Sequence, residues 1–330
     1  MNAKQQIAEI LENSGDEYIS GSSIADSLGI TRAAVWKCIK QMEEDGYEIE
    51  SSKKGYRLGS SSDALSASCI RKYLGDSAKR FSLEVFDVID STNTYLKQRA
   101  HEYLSSQDGK AVWHVAVSDR QNNGRGRMGR SFVSPSGSGI YLSVLFKPQT
   151  DTKQSVGITT AAAVAACLAI EECTDKKPLI KWVNDVFIDG RKTCGILTEA
   201  SVDLESGGLE WAVLGIGFNV YMPKDGFPEE IKKIAGPITE KKTRDLRSRI
   251  AASFMLHLYK ICNYPTVAGF KDEYRRRCFL IGRPINVIRG EQLIPAHATG
   301  LDDELHLLVR YPDGTTEALN SGEVSVREQK

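Results

Sequence analysis

A seven-residue run of glycine and arginine, Gly124–Arg130, is the part of the sequence best suited to binding an anion. It holds three arginines, three glycines and no acid. A guanidinium offers a fixed fork of donors to phosphate or carboxylate, and glycine lets backbone N–H groups approach an anion closely. Because the run has no helical or strand periodicity, it predicts a mobile loop. The loop is either a lid over a phosphate-bearing ligand or a solvated or nucleic-acid-contacting segment, and its composition alone does not decide.

A lysine and an Asn-Asp pair stand together where a short predicted strand ends, in Lys181–Val186. A lysine at such a place is suited to a phosphate, and an aspartate to Mg²⁺, which prefers oxygen ligands. The simpler interpretation is a turn with a solvated lysine. Asp90–Asn93, between a predicted strand and a helix, leaves a similar choice. Its Ser, Thr and Asn side chains are suited both to capping the helix and to binding a small polar ligand.

Two further predicted strands carry a polar residue near one end. The tight-turn pair Asp189-Gly190 places Lys192 just inside a returning strand, where a fixed ammonium can neutralise a negative centre. Taken alone, an exposed hairpin lysine is the simpler interpretation. The glycines of Gly215-x-Gly217-x-Asn219 allow close backbone approach to a buried strand, and Asn219 is suited to the edge of an adenine. No third glycine opens a helix there, which excludes a dinucleotide fingerprint.

Composition excludes several classes of protein. Lys plus Arg and Asp plus Glu are both 43, so no net charge steers the chain toward nucleic acid or a membrane. The longest apolar stretch, residues 161–170, is too short to span a bilayer, and no apolar signal region opens the chain. The seven cysteines are scattered and form no C-x-x-C pair, which indicates reduced thiols and no structural zinc site. We therefore expect a cytoplasmic protein of two or three domains with no membrane partner.

Residues 1–62 are predicted to form a winged helix. Two apolar helical faces precede Gly29, a natural C-terminal cap, and Thr31 is a good N-cap for a third helix. A strand, a turn and a strand then follow over residues 47–58. A helix-turn-helix followed by a hairpin is typical of a winged helix. The small polar segment Gly59–Ser68 reads as a linker that ends in the cap of the next helix.

Charge placement in this segment favours DNA over a purely structural role. Residues 1–60 hold seven Lys and Arg against ten Asp and Glu. The resulting net charge of −3 argues against DNA binding by a uniformly basic surface. Six of the seven cations nevertheless lie on the third helix and the wing. The DNA-facing set is predicted to be Arg32, Ala33, Trp36, Lys37 and Lys40 in the groove, with Lys53 and Lys54 on phosphates. A winged helix used for protein contacts is the alternative, and the acidic body implies that tight DNA binding needs a dimer.

Several motifs in one order resemble those of biotin protein ligases. They are Ser91–Asn93, Gln121 with Gly124–Arg130, Ser134-Pro135 before Tyr141–Ser143, Lys181–Asp185, Arg191–Leu197 and Gly215–Asn219. The winged helix and Ser321–Ser325 resemble the bifunctional subgroup, the biotin operon repressor and ligase. One departure is Val183, where the family usually has proline after Lys-Trp. A β-branched residue keeps a strand extended, so we expect little consequence.

The resemblance implies an α+β fold with three domains. These are the winged helix (1–62), a mixed sheet with helices like that of class II aminoacyl-tRNA synthetases (63–275), and an SH3-like barrel (276–330). The short strands and turns after Ile281 fit such a barrel.

The resemblance also implies two half-reactions with biotin, ATP and Mg²⁺ as ligands: formation of biotinyl-5′-adenylate, then transfer of biotin to a lysine. Lys192 and Arg127 would be catalytic, and Asp185 would hold the metal. Biotin would contact Ser91, Thr92, Asn93, Gln121, Gly124, Arg125, Arg127 and Lys192. The nucleotide would contact Phe132, Lys181, Asn184, Asp185, Asn219 and Arg327.

The expected partners are biotin carboxyl carrier domains, operator DNA and a second copy of the chain in a ligand-promoted homodimer. Three alternatives remain open. One is a ligase whose winged helix no longer regulates transcription, which the net charge of −3 allows. Another is a non-catalytic ligand-sensing repressor, which the presence of Lys192 and Arg127 opposes. The third is a lipoate ligase on the related fold, which the Gly-Arg-Gly-Arg loop opposes.

Overall fold

The N-terminal part of the computed structural model is a winged helix, as predicted. Its elements are α1 (Ala3–Asn13), α2 (Gly21–Leu28), α3 (Arg32–Glu44), β1 (Ile49–Ser52) and β2 (Gly55–Leu58). Gly29, with φ of 65°, ends α2 in the left-handed region that glycine adopts most readily. Thr31 Oγ1 accepts a hydrogen bond of 3.1 Å from Ala34 N and caps α3. The structure describes residues 3–44, 46–105, 112–148, 155–202, 209–264, 269–320 and 325–328.

The segment after the wing is anchored to the body of the protein. Ser66 caps α4 (Ala67–Leu74) by accepting from Cys69 N, which confirms the predicted cap. Ser62 and Asp63 are buried, however, and Asp63 accepts hydrogen bonds from Tyr221 Oη and from Arg247 N. The segment therefore connects two domains without being a free tether.

A seven-stranded mixed sheet forms the centre of the molecule, in the order β3-β4-β5-β9-β8-β7-β6. Its strands are β3 (Phe81–Ile89), β4 (Trp113–Gln121), β5 (Gly139–Phe146), β6 (Leu179–Lys181), β7 (Asp185–Ile188), β8 (Arg191–Val202) and β9 (Leu209–Asn219). Only the pair β3–β4 is parallel, and its crossover carries α5 (Thr92–Gln98) and α6 (Ala100–Ser105). The remaining pairs are antiparallel.

Helices cover both faces of this sheet, which is why every residue of β5 is buried. Alternate residues of a strand point to opposite faces. Leu142 and Val144 accordingly pack with α7 (Ser155–Cys173) and α8 (Leu246–Asn263), whereas Leu145 packs with Leu96 of α5. The alanine-rich stretch of α7 forms part of this core, as its composition predicts. None of the described helices meets the length and apolarity that a membrane crossing requires.

The C-terminal part is a five-stranded antiparallel sheet, in agreement with the SH3-like prediction. After α9 (Phe270–Arg277) it comprises β10 (Pro284–Arg289), β11 (Gln292–Leu301), β12 (Leu307–Arg310), β13 (Thr316–Leu319) and β14 (Ser325–Glu328). The order is β13-β12-β11-β10-β14. Its buried side chains, such as Val287 and Leu307, belong to the same hydrophobic cluster as the central sheet. The two parts therefore share one continuous core.

Candidate active site

A cavity of about 150 Å³ opens between the start of α5, the Gly/Arg loop and strands β7–β9. It gathers residues that lie far apart in the sequence. The predicted site residues that line it are Ser91, Thr92, Asn93, Gln121, Arg125, Arg127, Phe132, Asn184, Asp185 and Lys192. Most of the motifs that carried the family resemblance therefore meet in one place.

The first turn of α5 is joined to Gln121 by hydrogen bonds of fixed direction. Thr92 donates to Gln121 Oε1 from both its backbone N and its Oγ1, at 2.9 and 3.1 Å. Gln121 Nε2 donates to Ser134 Oγ at 3.0 Å, and Ser134 Oγ donates to the carbonyl of Phe132 at 2.9 Å. Because a backbone carbonyl only accepts, every donor in the chain is assigned. The network connects the helix start with the base of the Gly/Arg loop.

Asn93 is held in part by two residues that the sequence motifs do not include, Glu199 and Lys97. Its Nδ2 donates to Glu199 Oε2 at 3.0 Å, and Lys97 Nζ lies 2.6 Å from Glu199 Oε1. Burial alone raises the pKa of Glu199, but the hydrogen bonds from Lys97 and Asn93 lower it overall. A Cβ on Gly215 would lie 2.0 Å from Asn93 Oδ1, so glycine is required there. Ser143 Oγ is also within 2.6 Å of Asn93 Oδ1. Glu199 had no signal in the sequence, because an acid in a strand is ordinary on a surface.

The Gly/Arg loop is closed by its own hydrogen bonds. Gly126 N donates to Arg130 O at 2.7 Å, and Phe132 N donates to Gly124 O at 2.8 Å. Gly124 does not line the cavity but lies at the neck of the loop, where a Cβ would meet Phe132 O at 2.4 Å. Arg127 Nη1 reaches across the cavity and donates to Asn184 Oδ1 at 3.0 Å. Burial lowers the pKa of Arg127, which remains a cation.

The ring of Phe132 lies against two glycines of the central sheet. A Cβ on Gly217 would come within 2.3 Å of the ring, and one on Gly195 within 3.0 Å. The same Cβ on Gly195 would meet Lys192 Cε at 3.2 Å. The aromatic ring and the lysine stem therefore converge over Gly195, which explains why this strand carries glycine between hydrophobic residues.

Lys192 and Asp185 form the charged end of the cavity. Lys192 Nζ lies 2.6 Å from Asp185 Oδ1, and the two groups form an ion pair. Asp185 Oδ1 is buried, with the Lys192 ammonium as its charged partner. A single carboxylate oxygen of this kind fits Mg²⁺, which is usually held by one or two carboxylates together with water and phosphate.

Two predicted nucleotide residues, Lys181 and Asn219, do not line the cavity. Lys181 pairs with Asp185 across β6 and β7, and its Nζ lies 5.8 Å from the centroid of the Phe187 ring. Asn219 is buried, and its Nδ2 donates to the backbone carbonyl of Lys192 at 3.4 Å. Arg327 lies on β14, but its side chain is outside the described residues. The amide of Asn219 therefore supports the lysine backbone instead of facing the cavity.

The expectation that Val183 extends the strand is wrong. β6 ends at Lys181, and Val183 lies in the buried turn before β7, after a cis peptide bond with Trp182. Tyr274 Oη of α9 donates to Val183 O at 3.1 Å, and Trp182 Nε1 donates to Leu305 O at 3.0 Å. The loop between β11 and β12 and helix α9 thus directly contact the turn that carries Asn184.

A second cleft lies on the winged helix, between α3 and the wing. Most of the predicted DNA-facing residues line it: Arg32, Ala33, Trp36, Lys40, Lys53 and Lys54. Trp36 is 56% exposed, which is unusual for tryptophan. Lys37 is exposed but does not line the cleft. Lys40 Nζ lies 2.6 Å from Glu43, so part of its charge is already neutralised.

Charged contacts hold the winged helix and the segment that follows it against the central domain. Arg244 donates to Asp16 Oδ1 at 2.7 Å and to Gly15 O at 2.8 Å. Arg247 is buried and forms ion pairs with Asp63 and with Asp119, which lies on β4 two residues before Gln121. Burial raises the pKa of Asp63 to about 6, against the opposing effect of Arg247.

Family models match the three parts of the chain separately. The biotin/lipoate A/B protein ligase family matches residues 85–219, the helix-turn-helix domain residues 4–57, and the biotin protein ligase C-terminal domain residues 280–327. Together they define a ligase of the biotin and lipoate class with a helix-turn-helix head.

Whole-length relatives narrow this class. The chain is 37% identical to the bifunctional ligase/repressor BirA of Bacillus subtilis, over 94% of this chain and 95% of that protein. It is 29% identical to BirA of Escherichia coli, over 94% of both chains. Biotin protein ligase from Aquifex aeolicus, solved with biotin and ATP, superposes with a TM-score of 0.60 at 27% identity, covering 75% of this chain and 99% of that one. The chain belongs to the biotin protein ligase family, in its bifunctional ligase/repressor group.

Proposed function

We propose that the chain is an ATP-dependent, AMP-forming biotin protein ligase that also acts as a biotin-responsive transcriptional repressor. One observation carries the ligase proposal. Ser91–Asn93, Gln121, the Gly/Arg loop and Lys192 line a single cavity in a chain of this family. The winged helix with its exposed tryptophan supports the second role.

In the first half-reaction, a biotin carboxylate oxygen attacks the α-phosphorus of ATP and pyrophosphate leaves. The reaction needs charge stabilisation and positioning more than proton transfer. Thr92 and Gln121 hold the polar head group of biotin. Lys192 and Arg127, which both line the cavity, neutralise the charge that develops between carboxylate and α-phosphate.

The nucleotide occupies the side of the cavity near the β6–β7 turn. Mg²⁺ at Asp185 would neutralise phosphate charge, with Asn184 beside it and Lys181 and Arg327 reaching the distal phosphates. Lys192 would then exchange its ion pair with Asp185 for one with substrate. Phe132 offers its ring to adenine. Asn219 acts through the backbone of Lys192.

In the second half-reaction, a lysine amine of a biotin carboxyl carrier domain attacks the carbonyl of the adenylate. An amide bond forms, the bond to the phosphate oxygen breaks, and AMP leaves. The amine must be deprotonated, so transfer accelerates with rising pH. The loop bound to Asn184 through Arg127 keeps water from the anhydride.

On this proposal residues 1–62 bind operator DNA, 63–275 catalyse, and 276–330 cover the ATP side and receive the acceptor, in the cytoplasm. The adenylate orders the loop and promotes a homodimer that binds a palindromic operator. A ligase that no longer regulates transcription is the second candidate. The pairing of Lys40 with Glu43 favours it, because one predicted DNA contact is partly neutralised. A gel shift with and without biotin plus ATP separates the two.

The decisive experiment is transfer of biotin to a purified carboxyl carrier domain with ATP and Mg²⁺. We expect wild type to biotinylate the domain and Lys192→Ala to lose nearly all activity. Lys177→Ala, which removes an exposed lysine outside the cavity, is the matched control and stays active. If wild type transfers no biotin, and lipoate but not biotin competes for the ligand site, the lipoate alternative replaces the proposal.

A further inference from the structure

A short segment outside the central sheet pairs with the backbone of Lys192. Lys192 N donates to Ile234 O at 2.8 Å, and Gly236 N donates to Lys192 O at 3.0 Å. These bonds place Ala235 beside Lys192 in a parallel bridge. We call residues 231–236 the strap. It fixes β8 at the residue whose ammonium enters the cavity.

The strap is a turn that lies against β8 through these backbone hydrogen bonds and the buried Ala235. Its internal bonds, Ile234 N and Ala235 N to Ile231 O at 2.8 and 2.7 Å, fold it back on its own start. Ile234 is 53% exposed, so burial of its side chain does not anchor the strap. The side chains of residues 232–234 are all exposed, so this part of the strap depends on attachment from the sheet side.

Arg191 supplies that attachment. Its Nη1 donates to Lys232 O at 2.9 Å and to Ala235 O at 3.5 Å. Its stem packs under Gly236, where a Cβ would lie 2.6 Å from Arg191 Cβ and 2.8 Å from its Cδ. The absence of a side chain at Gly236 thus leaves room for the Arg191 stem. The guanidinium binds strap carbonyls on both sides of Ile234, those of Lys232 and Ala235.

Arg191 does not contact the reacting groups. Successive residues of a strand point to opposite faces, and Arg191 is absent from the cavity lining that includes Lys192. We propose that Arg191 is a positioning residue: by holding the strap on β8 it fixes the backbone of Lys192 and directs the ammonium into the cavity. This inference rests on the proposed function.

The test compares adenylate formation, followed as biotin-dependent pyrophosphate release, in the wild type and four variants. Arg191→Ala and Gly236→Ala should lower kcat roughly tenfold with KM for biotin within about twofold, because misplacing a charge-stabilising group affects the reaction more than ground-state binding. Arg191→Lys should recover part of the rate. Lys232→Ala is the matched control, since it removes an exposed side chain and keeps the carbonyl that Arg191 uses.

A double variant decides whether Arg191 acts through Lys192. If it does, adding Arg191→Ala to Lys192→Ala produces no further loss of rate. The proposal is overturned if Arg191→Ala lowers the rate tenfold in both the wild-type and the Lys192→Ala protein. It is also overturned if the loss of rate merely follows a lower Tm. An Arg191→Ala protein with the wild-type rate overturns it as well. A wild type without biotin-dependent pyrophosphate release overturns the proposed function instead, so the two failures are distinguishable.

Discussion

Arg127 and Asn184 are joined across the cavity by a hydrogen bond of 3.0 Å between Nη1 and Oδ1. The first residue belongs to the Gly/Arg loop and the second to the buried turn between β6 and β7. Asn184 is itself held, because its Nδ2 donates to Ile196 O at 2.9 Å. The loop is therefore bound to a rigid point of the sheet, next to Asp185.

Replacing Asn184 by alanine should release the loop. A hydrogen bond to a charged group contributes about 1.5–3 kcal/mol, which corresponds to roughly a ten- to hundredfold effect. We expect the Asn184→Ala protein to form the adenylate but to lose it faster, by hydrolysis or by release into solution. Release of labelled biotinyl adenylate from the purified complex measures this. Asn123→Ala, which removes an exposed asparagine just before the loop and outside the cavity lining, is the control; equal leakage from both variants would contradict a specific role for the Asn184 contact.

Replacing Gly217 by alanine should disturb the seat of Phe132. The added Cβ would lie 2.3 Å from the ring, and forced overpacking typically costs 1–3 kcal/mol. If the ring stacks on adenine, the ATP affinity falls about tenfold or more while biotin affinity changes less. Calorimetric titration of each ligand checks this. Gly157→Ala, in α7 with nothing within 4 Å of the new Cβ, should leave both affinities unchanged.

The buried Asp63 should make stability depend on pH. Its pKa is about 6 in the folded protein against 3.8 ordinarily, so between these values the folded state holds a proton that the unfolded state releases. This group therefore lowers the free energy of unfolding as pH rises from about 4 to 6, by roughly 3 kcal/mol at most. Denaturant titrations of wild type and Asp63→Asn across this range should diverge in that direction. The exposed variant Asp175→Asn should run parallel to wild type.

The wing lysines should contribute to DNA affinity through phosphate. Replacing Lys53 or Lys54 by alanine is expected to weaken binding to all sequences and to lower the slope of log affinity against log salt by about one. Trp36→Ala should instead lose preference for the operator. Fluorescence anisotropy at several salt concentrations separates these effects. Unchanged slopes for both lysine variants would favour the winged helix as a protein-binding module.

The sequence predicted elements wherever a local rule decides structure. Gly29 and Thr31 end and begin helices by backbone conformation and capping, which depend on a few neighbouring residues. The residues of the cavity were predicted through the family resemblance, which rests on several motifs of unusual residue types in one order. Helix caps and motifs of this kind can be recognised without knowledge of the tertiary structure.

Tertiary contacts account for what the sequence did not predict. Asp63 lies in a polar stretch that the sequence predicts to be a linker. In the structure it is buried against Arg247, nearly two hundred residues later in the chain. Asn219 ends a strand facing the region of Lys192, and only the fold shows that its amide serves the lysine backbone. Gly236 has no positive φ to mark it; its requirement arises from the Arg191 stem.

The anchored segment after the wing has a consequence for how far apart two DNA-reading heads can stand. Because Ser62 and Asp63 are buried and Arg244 pairs with Asp16, the winged helix is held against the central domain. In a dimer, the distance between the two recognition helices would therefore be set by the packing of the ligase domains. An operator would have to match that gap, so inserting half a helical turn of DNA between its half-sites should abolish binding where changes of sequence in the spacer are tolerated.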